Sequence, residues 1–375
     1  MLIWFYAPMK PPSNQTPSGD RRMARLLIRA LKHAGHEVRV ISKLRSYDGE
    51  GDAERQSAIQ ARSRRTLDRL LAPSSATEIR PDVWFTYHLY HKAPDWLGPE
   101  VSTALKIPYV IAEASRAPKR ATGPWANNFQ QCDIALARAN AIVSLNKTDD
   151  ECVAPALSPG TPIVELKPFL DPSPFVRAHR SRKRHRQKLA TTFHLNLDQP
   201  WLATAAMMRP GDKMASYIML AEAVTTIDAP LLIAGDGTQR SEIEGAFKNR
   251  SAPTIFLGAL AAADLAALFA AADVFVWPAV NEAYGMALLE AQAAGCPTIA
   301  GRTGGVPGIV ADGVSGLLVP PNNLDELQRA ISRVLADHDL RHRLSDAALH
   351  MVQSRHTVRI ASQTLDRALT DLRST

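Results

Sequence analysis

Apolar residues along this chain come in short, unbroken runs rather than in alternation, and most runs are followed by a stretch with helical spacing. In the first half the predicted strands are Leu2–Tyr6, 37–42, 83–86, 107–112, 141–145 and 162–166, of which 37–42 and 162–166 are broken by charged residues. In the second half they fall at 201–206, Leu231–Ala234, 255–257, 273–278 and 298–300. Runs without alternation predict strands buried on both faces, as in a parallel sheet. Between them, Met23, Leu26, Leu27, Ala30 and Leu31 mark one face of a helix over 21–34, closed by Gly35. Further helices are predicted over 214–226, 286–294, 323–336, 339–353 and 357–372. Gly295 stands where the cap of the 286–294 helix belongs, with Pro297 beyond it. Residues 43–80 are polar and arginine-rich, helical at best. Strand and helix alternating throughout predict an α/β fold of doubly wound parallel sheets.

A chain of 375 residues suggests two domains. The expected boundaries are 1–172 with a last helix at 356–375, a basic connection at 173–200, and a second domain at 201–355. With 46% hydrophobic and 22% charged residues a large core is available. The opening MLIWFYAP has no basic n-region and reads as a strand rather than a signal peptide. The apolar stretch 259–280 is interrupted by Asp264, Asp273 and Pro278, too often for a membrane span. Cys132, Cys152 and Cys296 are odd in number and share no ligand spacing, which fits a reducing cytoplasmic compartment and not a zinc site. The net charge of +7 favours anionic ligands or surfaces. Much of it lies in VRAHRSRKRHRQK (176–188). We read that run first as a solvated helical face and next as a contact with anionic lipid, peripheral at the inner membrane face, or with an acidic acceptor. Nucleic acid comes last, because no aromatics are interleaved for base stacking.

The densest chemistry lies in 281–305, NEAYGMALLEAQAAGCPTIAGRTGG. A helix starting near Met286 presents unpartnered amides and the positive end of its dipole. Gly285, Met286 and Ala287 therefore suit a phosphate, and Glu282 in the loop and Glu290 one turn into the helix suit sugar hydroxyls. On the residues alone, either glutamate equally well decorates a helix start. Arg209 and Lys213 flank Pro210 and Gly211 in a strand-to-helix loop, either as a diphosphate clamp or as a solvated pair. Gly19, in the first strand-to-helix loop, is either a ligand-facing or an ordinary turn glycine. His88 and His91 follow a strand end, where such folds place ligand groups, although a loop histidine is also often solvated or packed.

The ordered run EAYGMALLEAQAAGCPTIAGRTGGVPGIVADGVSGLLVPP (282–321) resembles the C-terminal signature of retaining glycosyltransferases of family 4. The likeness is strong over 200–321 and looser over 1–170. It implies a GT-B fold, with two Rossmann-like domains facing a cleft and a last helix crossing back to the first. It also implies transfer from a nucleotide diphosphate sugar, a UDP-sugar favoured, to an acceptor hydroxyl with retention, without metal or other cofactor. Arg209, Lys213 and the amides of Gly285, Met286 and Ala287 would then stabilise the leaving diphosphate. Glu290 would bind the ribose, and Glu282 the transferred sugar. Gly19, Gly235 and Gly258 match donor-binding loops. The family's histidine after the 107–112 strand is replaced by Glu113-Ala114-Ser115, which makes Glu113, Ser115 or His88 its substitute on the acceptor side. Asp20 stands where a second glycine is common, and Leu170 replaces a glycine before Asp171. Carbohydrate, lipid-linked and small-molecule acceptors all fit. The alternatives are a nucleotide-sugar 2-epimerase of the same fold, or a non-catalytic nucleotide- or sugar-binding protein acting through its basic segment.

Overall fold

The computed structural model describes residues 1–16, 18–72 and 80–372. Pro17 of the first loop, 73–79 of the arginine-rich stretch and 373–375 of the expected last helix lie outside the described residues. The chain divides into two units: Met1–Leu166 with Val358–Thr375, and Lys167–Thr357.

The first unit holds six strands: β1 (Leu2–Tyr6), β2 (Glu37–Val40), β3 (Val83–Leu89), β4 (Tyr109–Ala114), β5 (Ala141–Ser144) and β6 (Ile163–Glu165). All pair in parallel, in the order β2-β1-β3-β4-β5-β6. Leu2–Tyr6 is buried along its length because its sheet is covered on both faces. Phe5 stacks on Phe85 of the neighbouring strand, ring centroids 5.6 Å apart. The helix Gly19–His33 starts where the Ser18 hydroxyl accepts from the Arg21 amide at 3.2 Å, and it buries Met23, Leu27, Ala30 and Leu31. Against it packs the returning helix Val358–Asp371, with Val358, Ala361, Leu365 and Leu369 buried. The arginine-rich stretch forms a helix over Ala53–Leu71 capped by Asp52. Two strands run further than their apolar patterns. β3 continues to Leu89 and β4 to Ala114, because Tyr87 pairs with Ala112 and Leu89 with Ala114. His88 and Glu113 thus lie inside the strand ends rather than after them.

The second unit holds β7 (Leu202–Ala205), β8 (Leu231–Ala234), β9 (Thr254–Gly258), β10 (Val274–Trp277), β11 (Thr298–Gly301) and β12 (Gly316–Val319). These are again all parallel, in the order β12-β11-β10-β7-β8-β9. One continuous core runs through Trp201, Val274, Phe275, Leu288, Leu289 and Ile299. The helix expected at 214–226 spans Asp212–Ala223, and that expected at 286–294 spans Met286–Ala293.

The basic run is helical and only part of it is a solvated face. It forms the helices Ser173–Arg180 and Arg182–Phe193, both packed on the helix Ala262–Ala271 of the same unit. Arg182 donates to the carbonyls of Ala270 and Ala272 at 2.6 and 2.7 Å, and Arg186 to that of Ala271 at 2.9 Å. Both arginines also hold Asp273 at 2.7 Å, and Arg186 lies 3.9 Å above the Trp201 ring. Two cations thus cap the carbonyls at a helix C-terminus, where the dipole favours them. Arg177, Arg180, Lys183, Arg184 and Lys188 remain exposed.

Candidate functional site

In the second unit the strand order reverses between β7 and β10, and the loops leaving these two strands meet at their carboxyl ends. The β7 loop delivers Lys213 and the β10 loop Glu282. Their side chains form an ion pair. The same Glu282 carboxylate accepts from Trp277 Nε1 at 3.1 Å and from the Gly285 amide at 3.3 Å. Lys213 lies 5.3 Å from the Trp277 ring, and Tyr217 meets that ring edge-on at 5.2 Å. Burial pushes the Glu282 pKa up, but Lys213 above all, then Trp277 and Gly285, hold it below its ordinary value. The carboxylate therefore stands ionised.

The loop owes its shape to backbone fits that only glycine allows. Gly285 has φ +71°, and a Cβ there would press on Leu288. Gly304 also has positive φ, and a Cβ on Gly304 or Gly305 would fall on the carbonyl oxygen of Glu282 or Ala283. The GG pair is thus the floor under Glu282. Val280 and Asn281 are tied to the start of the Asp212–Ala223 helix, through Ser216 and Asp212, both at 3.0 Å.

Gly285 is the N-cap of the Met286–Ala293 helix and supplies no side-chain cap to the amides of Met286 and Ala287. Its own amide is turned onto Glu282. Glu290 lies on this helix with 3% exposure. Arg209 is exposed, and no salt bridge involves it among the described residues. Gly235 packs so closely that a Cβ would strike the Ala206 carbonyl oxygen, and its amide donates to the Gly258 carbonyl at 2.8 Å. These two glycines join the ends of β8 and β9 beside the β7 loop.

In the first unit the order reverses between β1 and β3. There His88 Nδ1 meets Asp20 Oδ1 at 3.0 Å and faces Glu113 Oε1 at 3.9 Å. Ser115 lies beside Asp149, and its amide donates to the Leu89 carbonyl at 2.9 Å. Sequence reasoning placed His88, Glu113 and Ser115 as candidates, and they converge. It missed Asp20 and Asp149 as members of the group. Asp20, noted only as a replaced glycine, begins the helix after β1, and that is the signal that could have found it. His88 and Glu113 both have positive φ, 66° and 58°. Burial opposes a charge on His88, but Glu113, then Asp20 and Asp149, hold its pKa above the usual value. Burial likewise raises Asp20, yet His88 brings it below its usual value. Burial lifts Asp149 above its usual value, against Ser115 and Asn146, which lower it. Gly19 has open space where a Cβ would stand. His91 does not join this group; it stands edge-on to Trp125, ring centroids 5.7 Å apart.

Among the described residues, no helix is long and apolar enough to cross a membrane. Residues 212–351 match the family of glycosyl transferases group 1. A D-inositol 3-phosphate glycosyltransferase of Streptomyces bingchenggensis is 41% identical over 103 residues, which is 28% of this chain and 23% of that protein. The chain thus spans about a quarter of that relative's length. The solved glycosyltransferase of Rickettsia africae superposes with a TM-score of 0.75 at 16% identity, over 100% of this chain and 99% of that one. The Anabaena protein HepE, solved in complex with UDP, gives 0.73 at 16% identity, over 99% and 100%. The likeness to these structures carries the fold along the whole chain, and the signature segment carries the family. The two doubly wound sheets are those of the GT-B fold, and within it residues 212–351 are similar to the glycosyl transferases group 1 family.

Proposed function

We propose that this protein moves a sugar from a nucleotide diphosphate sugar, a UDP-sugar favoured, to an acceptor hydroxyl with retention of anomeric configuration and without a metal. The observation that carries this reading is the Lys213–Glu282 ion pair at the switch point of the second unit, beside the uncapped amides of Met286 and Ala287. The complex of HepE with UDP supports the choice of nucleotide.

In this reading the diphosphate lies against the helix start, with Lys213 and the exposed Arg209 stabilising the charge that grows on it. Fixed donors aimed at developing charge lower the barrier more than any other device open to such a site. Glu282 orients the sugar and balances the cationic anomeric carbon. Glu290 takes the ribose hydroxyls, and Gly19, Gly235 and Gly258 give the donor close access to the backbone. The bond from the anomeric carbon to the phosphate oxygen breaks. The acceptor oxygen bonds on the same face, and the leaving phosphate takes its proton. The acceptor is assigned to the His88, Glu113 and Ser115 group of the first unit.

The test is thermal unfolding against UDP, GDP, ADP and their common sugars, for wild type and Glu290→Ala. A ligand at a hundred times its dissociation constant adds about 2.7 kcal/mol of stability. Stabilisation by one nucleotide family, weakened in Glu290→Ala, is the expected result, and no stabilisation by any nucleotide would refute donor binding. Turnover that needs an acceptor and survives EDTA separates the reading from an epimerase and from a metal-dependent transferase.

A further inference from the structure

A second set of cations gathers in the first unit, apart from the groups assigned so far. Lys92 follows β3, and Lys119 and Arg120 lie in the short turn Pro118–Arg120 after β4. Lys92 Nζ lies 5.2 Å and Arg120 Cζ 4.7 Å from the centroid of the Trp125 ring, so both charges sit on one indole. The ring is anchored by its Nε1, which donates to the Asp48 carbonyl at 3.3 Å, while the Asp48 amide donates to the Lys92 carbonyl at 2.8 Å. No salt bridge involves Lys92, Lys119 or Arg120 among the described residues. Arg120 Nε is buried without a hydrogen-bond partner. Two acids of the adjoining segments, Asp48 and Asp95, are committed elsewhere. Asp48 accepts from the Glu50 and Gly51 amides and from Gln56 Nε2, at 3.1, 3.2 and 2.8 Å. Asp95 accepts from Tyr109 and from the Leu97 and Gly98 amides, each at 2.8 Å. His91 adds no fourth charge, since burial, then Arg120, Lys92 and Lys119, pull its pKa down to about 4.

Three unneutralised cations, one with an unused buried donor, match a compact dianion better than a single carboxylate. The indole covers one side of Lys92 and Arg120, which excludes water there and strengthens the attraction. The group lies at the carboxyl edge of β3 and β4, the edge that also carries His88 and Glu113. We propose that Lys92 and Arg120, both on Trp125, bind a phosphate group of the acceptor together with the adjacent exposed Lys119, a monoester or diphosphate carried by a soluble molecule or by a lipid. This assignment rests on the transferase reading for the word acceptor, but the phosphate site itself does not depend on it.

The experiment is isothermal titration of the full chain with inorganic pyrophosphate in saturating UDP. It compares wild type, Lys119→Gln/Arg120→Gln and Lys183→Gln/Lys188→Gln, the last removing equal charge from the exposed part of the basic run. At least tenfold weaker binding in the first variant alone, with circular dichroism and UDP affinity unchanged, is the expected result. No pyrophosphate binding by the wild type, binding unchanged in the first variant, or equal loss in both variants would overturn the site. Flotation with phosphatidylcholine vesicles, with and without phosphatidic acid, then names the source. Recruitment that needs both phosphatidic acid and the Lys119–Arg120 pair assigns a lipid phosphate, and retained pyrophosphate binding without recruitment assigns a soluble one. Failure of the wild type to bind UDP would strike the donor reading and leave the comparison of variants legible.

Discussion

Replacing Lys213 with alanine separates what this residue does for the fold from what it does for the reaction. In the wild type its ammonium is the strongest of three groups holding the Glu282 carboxylate, whose side chain is 14% exposed. Trp277 and Gly285 remain after the substitution, so the carboxylate is left partly held but without its counter-charge. A lost charge-assisted hydrogen bond costs about 1.5–3 kcal/mol, and an uncompensated buried charge about 3–5 kcal/mol. With two hydrogen bonds surviving, we expect a loss of about 2 kcal/mol at pH 7. The pH dependence follows from the sign of the shift. The wild-type Glu282 pKa lies below its ordinary value of 4.5, so its contribution is present above that pH and is lost as pH falls through the folded value. Without Lys213 burial is opposed only by Trp277 and Gly285, so the pKa rises from its wild-type position, and the loss caused by the substitution is full above the new value and shrinks as pH falls through it. The penalty in urea denaturation is therefore larger at pH 7 than at pH 4.5. Adding Glu282→Gln removes the stranded charge and recovers part of the stability, an interaction that a double-mutant cycle reads directly. It does not recover activity, because loss of one fixed donor to the leaving group costs about 10²–10³ in kcat. Equal penalties at both pH values, no recovery in the double variant, or an unchanged kcat would each refute this account.

Asp273→Ala strands Arg182 and Arg186 and removes the acceptor of the Trp201 amide, so urea denaturation is expected to show a loss of about 3 kcal/mol with UDP affinity of the folded protein unchanged. Gly304→Ala puts a Cβ on the Glu282 carbonyl oxygen at positive φ; we expect about 2 kcal/mol of destabilisation and a fall in kcat, since Glu282 is displaced. His88→Gln removes a histidine whose folded pKa is raised above 6.5, a contribution fully present below 6.5 and lost as pH rises through the folded value. The stability difference between wild type and this variant, on the order of 1.5 kcal/mol, should therefore be larger at pH 6 than at pH 8 in paired denaturation curves.

The second unit was legible because its chemistry is local. Glu282, Gly285 and the helix at Met286 lie within a few residues, and unbroken apolar runs disclose parallel strands. Lys213 was placed through its loop, although its pairing with Glu282 across 69 residues needed the β7–β10 neighbourhood. The Asp20–His88 contact spans 68 residues and depends on β1 lying beside β3, which no periodicity encodes. The basic run was legible only in part, for a related reason. Its composition is that of a solvated face, but Arg182 and Arg186 find carbonyls and a carboxylate contributed by residues some 90 positions away. The role of Gly304 and Gly305 was hidden too, since a glycine that admits a ligand and one that admits a neighbouring carbonyl look alike in sequence.

The returning helix Val358–Asp371 has a consequence for how the molecule is made. It supplies Val358, Ala361, Leu365 and Leu369 to the packing of the first unit, and Ser362 meets His33 at 3.1 Å. These residues leave the ribosome after the whole of the second unit. The nascent chain can complete Lys167–Thr357 while its earliest-made half still waits for its closing piece, so the order of maturation runs against the order of synthesis. Until then, the part of Gly19–His33 that Val358–Asp371 covers stands bare on the nascent chain, and that is the interval in which a chaperone has most to protect.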